Sequence, residues 1–277
     1  MLFRSEALLN SNFFLFCELL QKENITVTLL STGLTLKQHA TKLLQYVDKI
    51  IVSLDGDRIT HDAIRNIPGA FDKLKEGVAC LKAVNPSHSI SARTVIHRLN
   101  FRQWPEIINA AKEMGLDQIS FLPADVSSNA FNRDKAWEPP RQNEILIEQE
   151  SLPELLSIIQ SLQNNYKKEF DEKFIAESPE KIHKIYLYYT AFYGLNPFPH
   201  KRCNAPWVST VIEADGTVRP CFFHEAMGNI HEQSLSHILN SHKAVDFRKK
   251  LDLETNNTCI KCVCYLNLLP RTNLKQS

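Results

Sequence analysis

The chain has 277 residues, a formal net charge of +1, 43% hydrophobic residues and 23% charged residues. This length corresponds to about two domains of ordinary size, and the composition is that of a globular protein that can bury a core. The near-zero charge removes the electrostatic basis for binding nucleic acid or an anionic membrane surface, so we expect neither partner.

The first half of the chain alternates between short apolar runs and segments with helical periodicity. The segments repeat apolar residues at helical spacing, and Thr35-x-x-Gln38 and Pro105 are typical of helix starts. The apolar runs predict buried strands at Val27–Leu30, Ile50–Leu54, Ile90–Ile96 and Ile119–Leu122. This alternation predicts βαβ units and an α/β fold with parallel strands, in an open sheet or a barrel.

A smaller unit is predicted to follow a helical middle section. Ser151 and Ser178 each precede a helical pattern, and the second pattern is broken by Asn196-Pro197-Phe198-Pro199. This break predicts two domains, 1–195 and 196–277. The second contains the hairpin signature Ala214-Asp215-Gly216-Thr217 and has few apolar residues, so we expect it to need a metal or a cross-link.

Cysteines are concentrated at the end of the chain. Five of the seven lie within the last 75 residues: Cys203, Cys221, Cys259, Cys262 and Cys264. A Cys-x2-Cys pair lets two thiolates meet one metal centre from a single turn, and the pair flanking the hairpin supplies further ligands. Such a set suits either tetrahedral zinc or an iron–sulfur cluster.

The two isolated cysteines, the histidines near the tail and the search for targeting segments indicate no additional functional site. Cys17 and Cys80 fall on apolar helix faces and are predicted to be buried small hydrophobes. No apolar run approaches a membrane span of about 18 residues, no signal peptide is recognisable, and a reducing cytoplasm is expected. Four histidines near the cysteines could join a zinc site, but we interpret them as surface or helix residues: His224, His231, His237 and His242.

Further motifs surround the cysteines in the tail. Asp215-Gly216-x4-Cys221, Gly228-Asn229-Ile230 and Ser234-Leu235 lie between Cys203-Asn-Ala-Pro-Trp-Val-Ser and Cys259-x2-Cys262. This succession resembles the SPASM/twitch auxiliary-cluster domain of radical S-adenosylmethionine (radical SAM) enzymes, and is closer to the shorter twitch form. The resemblance implies an auxiliary 4Fe–4S cluster on Cys203, Cys221, Cys259 and Cys262, with Cys264 as a spare or alternative ligand.

The upstream half is similar to the same family. Ile51-Val-Ser-Leu-Asp-Gly56, continuing to His61-Asp62-x2-Arg65, resembles the end of the fourth barrel strand, and Leu2–Leu9 resembles the end of the second. The resemblance implies a partial (β/α) radical-SAM-type barrel in which Glu6 binds the amino group of S-adenosylmethionine (SAM). It also implies that Ser53 and Arg65 contact the SAM carboxylate, which a hydroxyl and a guanidinium suit.

The sequence departs from the family pattern at two places. It contains no Cys-x3-Cys-x2-Cys, whose thiolates bind the radical-generating cluster in these enzymes. Arg4 and Ser5 replace two glycines of the usual Gly-Gly-Glu-Pro around Glu6, where the backbone approaches the ligand closely. We therefore expect an N-terminally truncated relative, and leave open at this point whether the chain is an enzyme.

Three functional hypotheses are compatible with these patterns. The first is a radical SAM/SPASM-type iron–sulfur protein, related to enzymes that cleave SAM reductively to abstract hydrogen from a peptide or small molecule. A reductant protein is then a further expected partner. The second is a non-catalytic, cluster-bearing binding module or truncated remnant. The third is a zinc-stapled structural α/β protein.

Overall fold

The computed structural model describes residues 2–3, 6–128, 130, 133 and 135–268, so the predictions about Arg4 and Ser5 lie outside it. The described strands are β1 (Leu2–Phe3), β2 (Thr28–Ser31), β3 (Lys49–Ser53), β4 (Ser89–Ile96), β5 (Gln118–Pro123), β6 (Val211–Ile212), β7 (Thr217–Arg219) and β8 (Gly228–Asn229). The described helices are α1 (Phe13–Lys22), α2 (Leu36–Tyr46), α3 (Arg58–Arg65), α4 (Ala70–Val84), α5 (Trp104–Glu113), α6 (Pro139–Asn143), α7 (Leu152–Asn165), α8 (Lys167–Asp171), α9 (Pro179–Phe192), α10 (Ala205–Val208), α11 (Leu235–Asn240), α12 (His242–Lys250) and α13 (Asn257–Ile260).

The chain forms two compact units. The first consists of Met1–Ala124 and Ile147–Tyr189, and the second of Asp125–Leu146 and Thr190–Ser277. Most of the segment between β5 and α7, residues Asp125–Leu146, therefore belongs to the second unit. The proposed division into functional domains at 1–195 and 196–277 stays a prediction, because compactness alone does not define where a functional domain ends.

A five-stranded parallel sheet forms the centre of the first unit. Its strands lie in the order β1-β2-β3-β4-β5, and every neighbouring pair is parallel. Because strand order follows chain order, each crossover advances in one direction, as in a (β/α) barrel. Ile175 adds a parallel bridge to Ile119 beyond β5. The predicted α/β class with a partial, parallel-stranded barrel is confirmed.

The two faces of this sheet differ. On β4, Ile90, Ala92 and Ile96 are fully buried, whereas Ser91 and Arg93 between them are only half-buried. The predicted strand is therefore present, but the residues between its buried positions are partly exposed. Successive side chains of a strand point to opposite faces, so the pattern indicates one face packed in the core and one face partly open.

Helix starts and the isolated cysteines are predicted only in part. Pro105 lies in the first turn of α5, as expected. Thr35 precedes α2, but its hydroxyl makes no cap hydrogen bond and is buried without a partner among the described residues, so the predicted capping box is wrong. Cys17 is fully buried in α1, whereas Cys80 in α4 remains partly exposed.

The second unit contains the predicted hairpin. Strands β6, β7 and β8 form an antiparallel sheet, and Gly216 has a φ of +84° in the turn between the first two. Its core is small: Val218, Met227, Ile238 and Ala244, with two partly buried leucines against them. In the described part of the chain, no helix is both long and apolar enough to cross a bilayer.

Candidate functional site

Five thiols of the second unit form the candidate metal centre. Cys203 precedes α10, Cys221 follows β7, Cys259 lies within α13, and Cys262 and Cys264 follow that helix. All five are free and partly buried. Sequence positions up to 61 residues apart therefore supply sulfur donors to one small unit.

These thiols are within electrostatic reach of one another. Burial, together with charges at Cys221 and Cys203, raises the pKa of Cys259 to about 11. Burial likewise raises the pKa of Cys262 to about 12, with Cys264 as the next cause. Ionising several of these groups without a cation is therefore unfavourable. A metal centre would remove that repulsion and release the protons.

Nearby donors and a cation favour the ionised form of the same sulfurs. The backbone N–H groups of Phe223 and His224 oppose the increase that burial causes in the pKa of Cys221. Lys201 lowers the pKa of Cys259 and Cys262 by its charge, and its Nζ donates to the carbonyl of Ile260 at 2.8 Å. The backbone N–H groups and the Lys201 charge thus stabilise the ionised sulfurs, which is the form that binds a metal.

His224 belongs to this site, contrary to the interpretation of it as a surface or helix residue. It is only 9% exposed, and its Nε2 lies 3.3 Å from the Sγ of Cys259. The ring packs edge-on against Phe247, with centroids 5.0 Å apart. The spacing Cys221-x2-His224 places the residue near one candidate ligand, but its contact with Cys259, 35 residues away, has no local signal in the sequence.

The donor set fits a sulfur-ligated centre. Soft thiolates select zinc or iron–sulfur clusters over hard cations such as magnesium. Among the residues that the structure describes, no three His, Cys, Asp or Glu side chains form a ready single-ion site.

Asn204 connects the segment after Cys264 to the segment that carries Cys203. Its Nδ2 donates to the carbonyl of Leu268 at 2.6 Å, and its Oδ1 accepts from the backbone N–H of the same leucine.

Glu6 lies at the carboxyl edge of the first unit's sheet. One carboxylate oxygen accepts from the Ser31 hydroxyl at 3.0 Å, and the other accepts from the backbone N–H and hydroxyl of Thr32. The side chain therefore holds the turn that follows β2. An amino group bound by Glu6, as predicted, would have to share these oxygens with Ser31 and Thr32.

Ser53 and Arg65 lie at the same edge, around the loop that follows β3. Ser53 is the last residue of β3, and Arg65 Nε donates to Asp55 at 2.6 Å from the last turn of α3. Asp55 is almost fully buried, and its backbone N–H donates to Nδ1 of the fully buried His61. Asn100 donates to the Asp55 carbonyl at 2.9 Å, which fixes the loop from the β4 side.

The open face of the sheet carries polar residues that the sequence analysis missed. Arg93 is the register partner of both Ser53 and Ser120, and its Nε donates to the Ser120 hydroxyl at 3.3 Å. Beyond β5, Glu177 accepts from the backbone N–H of Phe121 at 3.0 Å. Burial raises the pKa of Glu177, and the Arg93 charge partly opposes this. Alternation along β4 was the signal for Arg93.

Comparison with known proteins identifies relatives of both units. Residues 203–263 match the family model of the SPASM iron–sulfur cluster-binding domain. The antilisterial bacteriocin subtilosin biosynthesis protein AlbA of Bacillus subtilis (strain 168) is 25% identical over 225 residues, which are 78% of this chain and 43% of AlbA.

Solved structures show the same fold. The alignment with Streptococcus suis SuiB bound to S-adenosylmethionine covers 95% of this chain and 60% of the SuiB chain. Its TM-score is 0.59 and the sequence identity is 14%. The alignment with SuiB bound to precursor peptide SuiA covers 95% of this chain and 59% of the SuiB chain, with a TM-score of 0.60 and 14% identity. The chain thus spans less than two thirds of these relatives. The resemblance to radical SAM/SPASM proteins is confirmed.

Proposed function

We propose, from the SPASM iron–sulfur cluster-binding domain at residues 203–263, that this chain is an iron–sulfur protein of the radical SAM/SPASM type. The observation that carries the proposal is the concentration of five free, partly buried thiols within or next to that domain. The parallel sheet with the SuiB fold supports a radical SAM core ahead of it.

The proposed cofactor is an auxiliary 4Fe–4S cluster of the twitch type. Cys203, Cys221, Cys259 and Cys262 are its proposed ligands, and Cys264 is the alternative to one of them. When bound, the cluster supplies one-electron transfer or a ligation site for a substrate. The chain's own contribution is to hold the thiolates with backbone N–H donors and the Lys201 charge, and to keep them partly shielded from water.

The proposed ligand site of the first unit is the carboxyl edge of its sheet. Glu6 would bind the amino group of SAM, and Ser53 and Arg65 would bind its carboxylate, because a hydroxyl and a guanidinium recognise that group. SuiB has been crystallised with SAM and with a precursor peptide. A peptide is therefore the proposed substrate class here, with a reductant protein as partner and the cytoplasm as location.

A second candidate function is a cluster-bearing binding module without radical chemistry. One observation favours it: both carboxylate oxygens of Glu6 already accept hydrogen bonds within the fold. This module would keep the fold and the cluster, and would bind a peptide or a partner enzyme.

Anaerobic reconstitution with iron and sulfide tests the cluster. We expect a brown protein with about four iron and four sulfide per chain. C221S and C259S should lose most of this loading, and C80S, which changes a partly exposed cysteine of the first unit, should keep it. A colourless protein that retains zinc and no sulfide would support the zinc-stapled alternative and overturn the proposal.

Incubation of the reconstituted, reduced chain with SAM separates the two candidate functions. Formation of 5′-deoxyadenosine would support an enzyme. Its absence in a chain with a full cluster would support the binding module.

A further inference from the structure

We propose that His224 positions and tunes the auxiliary cluster by donating a hydrogen bond from its Nε2 to the Cys259 sulfur. The inference rests on the proposed function, because it requires Cys259 to be a cluster ligand. It adds a specific residue outside the cysteine set, with a role distinct from metal ligation.

The geometry gives the direction of the hydrogen bond. The Nε2 to Sγ distance is 3.3 Å, which is within range for a bond to sulfur. A thiolate bound to iron has no hydrogen to donate, so the ring nitrogen that faces it must be the donor.

The surroundings hold the ring in this orientation. The imidazole lies edge-on against Phe247 of α12, with ring centroids 5.0 Å apart. This packing restricts rotation of the ring away from the Cys259 sulfur, which Nε2 approaches to 3.3 Å. A ring held in this way restricts in turn where the Cys259 sulfur can lie.

This contact has a consequence for redox chemistry. Hydrogen bonds to cluster sulfurs raise the reduction potential, because they stabilise the more negative, reduced state. Groups that orient metal ligands typically change metal affinity by about 10- to 100-fold when they are removed. His224 should therefore affect both the potential of the cluster and its resistance to chelation.

The test compares four forms of the reconstituted full chain: wild type, H224L, H224Q and H237L. The glutamine amide can present a donor at the position of Nε2, whereas leucine cannot. His237 is exposed on α11, which makes H237L the matched control. We expect H224L to have a lower reduction potential and to lose iron to a chelator about tenfold faster than wild type. H224Q should recover most of both properties, and H237L should equal wild type.

Two results would overturn the inference while leaving the proposed function intact. One is a fully loaded H224L whose potential equals that of wild type. The other is a pulsed EPR signal from a histidine nitrogen bound directly to iron in wild type and missing in H224L, which would make His224 a ligand. If H224L takes up no cluster, the test rests on H224Q. A reduction potential of H224Q far from that of wild type would contradict a donor role for His224. If wild type itself takes up no iron and sulfide, the proposed function fails and the inference fails with it.

Discussion

His61 is a buried histidine in the loop region at the carboxyl edge of the first unit's sheet. It is fully buried, its Nδ1 accepts the backbone N–H of Asp55 at 3.1 Å, and its Nε2 has no partner among the described residues. Burial lowers the pKa of His61, and the nearby Asp55 carboxylate only partly opposes this. The folded state therefore resists protonation of His61 more than the unfolded chain does.

The free energy of unfolding should consequently fall as the pH drops below about 6.5, where the unfolded histidine takes up a proton and the folded one does not. H61N removes this titration while its Oδ1 can still accept the Asp55 N–H. We expect H61N to be less stable by about 1–3 kcal/mol at pH 7, because the smaller side chain leaves a cavity. Its stability should also depend less on pH between 7 and 5.

Chemical denaturation of wild type and H61N at a series of pH values measures both effects. Burial also lowers the pKa of His88 and His97, so the slope for H61N should be smaller than that of wild type and not zero. Equal slopes in the two proteins would show that His61 is protonated to the same extent in both states, contrary to the prediction.

Residue roles were predictable from the sequence where spacing carried them. The five cysteines were recognisable because Cys-x2-Cys and the hairpin fix their local geometry. His224 and Arg93 were missed for physical reasons. The contact of His224 with Cys259 joins positions 35 residues apart, and the neighbours of Arg93 are set by the register of three strands. Neither relation is local in the chain.

At the scale of an element, the turn between β6 and β7 depends on a glycine. Gly216 has a φ of +84°, and a Cβ there would lie 2.6 Å from His231 and 2.7 Å from Asn229 Oδ1. Asn229 cannot easily move away, because its Oδ1 accepts from the His231 N–H and its Nδ2 donates to the carbonyl of Asp215. The turn thus needs both an unusual backbone conformation and free space.

G216A should destabilise the second unit by about 1–3 kcal/mol, from backbone strain together with the steric clash. G194A is the matched control, since Gly194 also has a positive φ, +69°, but a Cβ at that position would meet no described atom within 4 Å. We expect a smaller loss, of about 1 kcal/mol, from strain alone. Denaturant unfolding followed by far-UV circular dichroism measures both variants. Equal losses would mean that the space around Gly216 has no influence.

Elements were more predictable than their ends or their exposed faces. Short apolar runs identified β2 to β5, because strands of a buried parallel sheet are apolar over most of their length. The same signal hid the alternation between buried and partly open positions along β4. Thr35 shows the limit for helix caps: the residue is at the N-cap position of α2, but its hydroxyl makes no cap hydrogen bond.

At the scale of the whole molecule, all five candidate ligands belong to the second unit, whose own apolar core is small. A bound cluster stabilises only the state that binds it, by RT ln(1 + [L]/Kd), or about 4 kcal/mol at a thousandfold excess over Kd. The first unit has a separate core around its parallel sheet. Removing the cluster should therefore destabilise the second unit far more than the first.

Tryptophan positions allow this prediction to be measured for each unit. Trp104 is buried in the first unit, and Trp137 and Trp207 lie in the second. Fluorescence of the W137F/W207F variant reports the first unit, and that of W104F reports the second. Chelation of the reconstituted proteins should lower the unfolding midpoint markedly in W104F and leave that of W137F/W207F nearly unchanged. Equal decreases of the unfolding midpoint in both variants would mean that the two units unfold in one cooperative transition. In such a transition, destabilising one part lowers the midpoint of the whole.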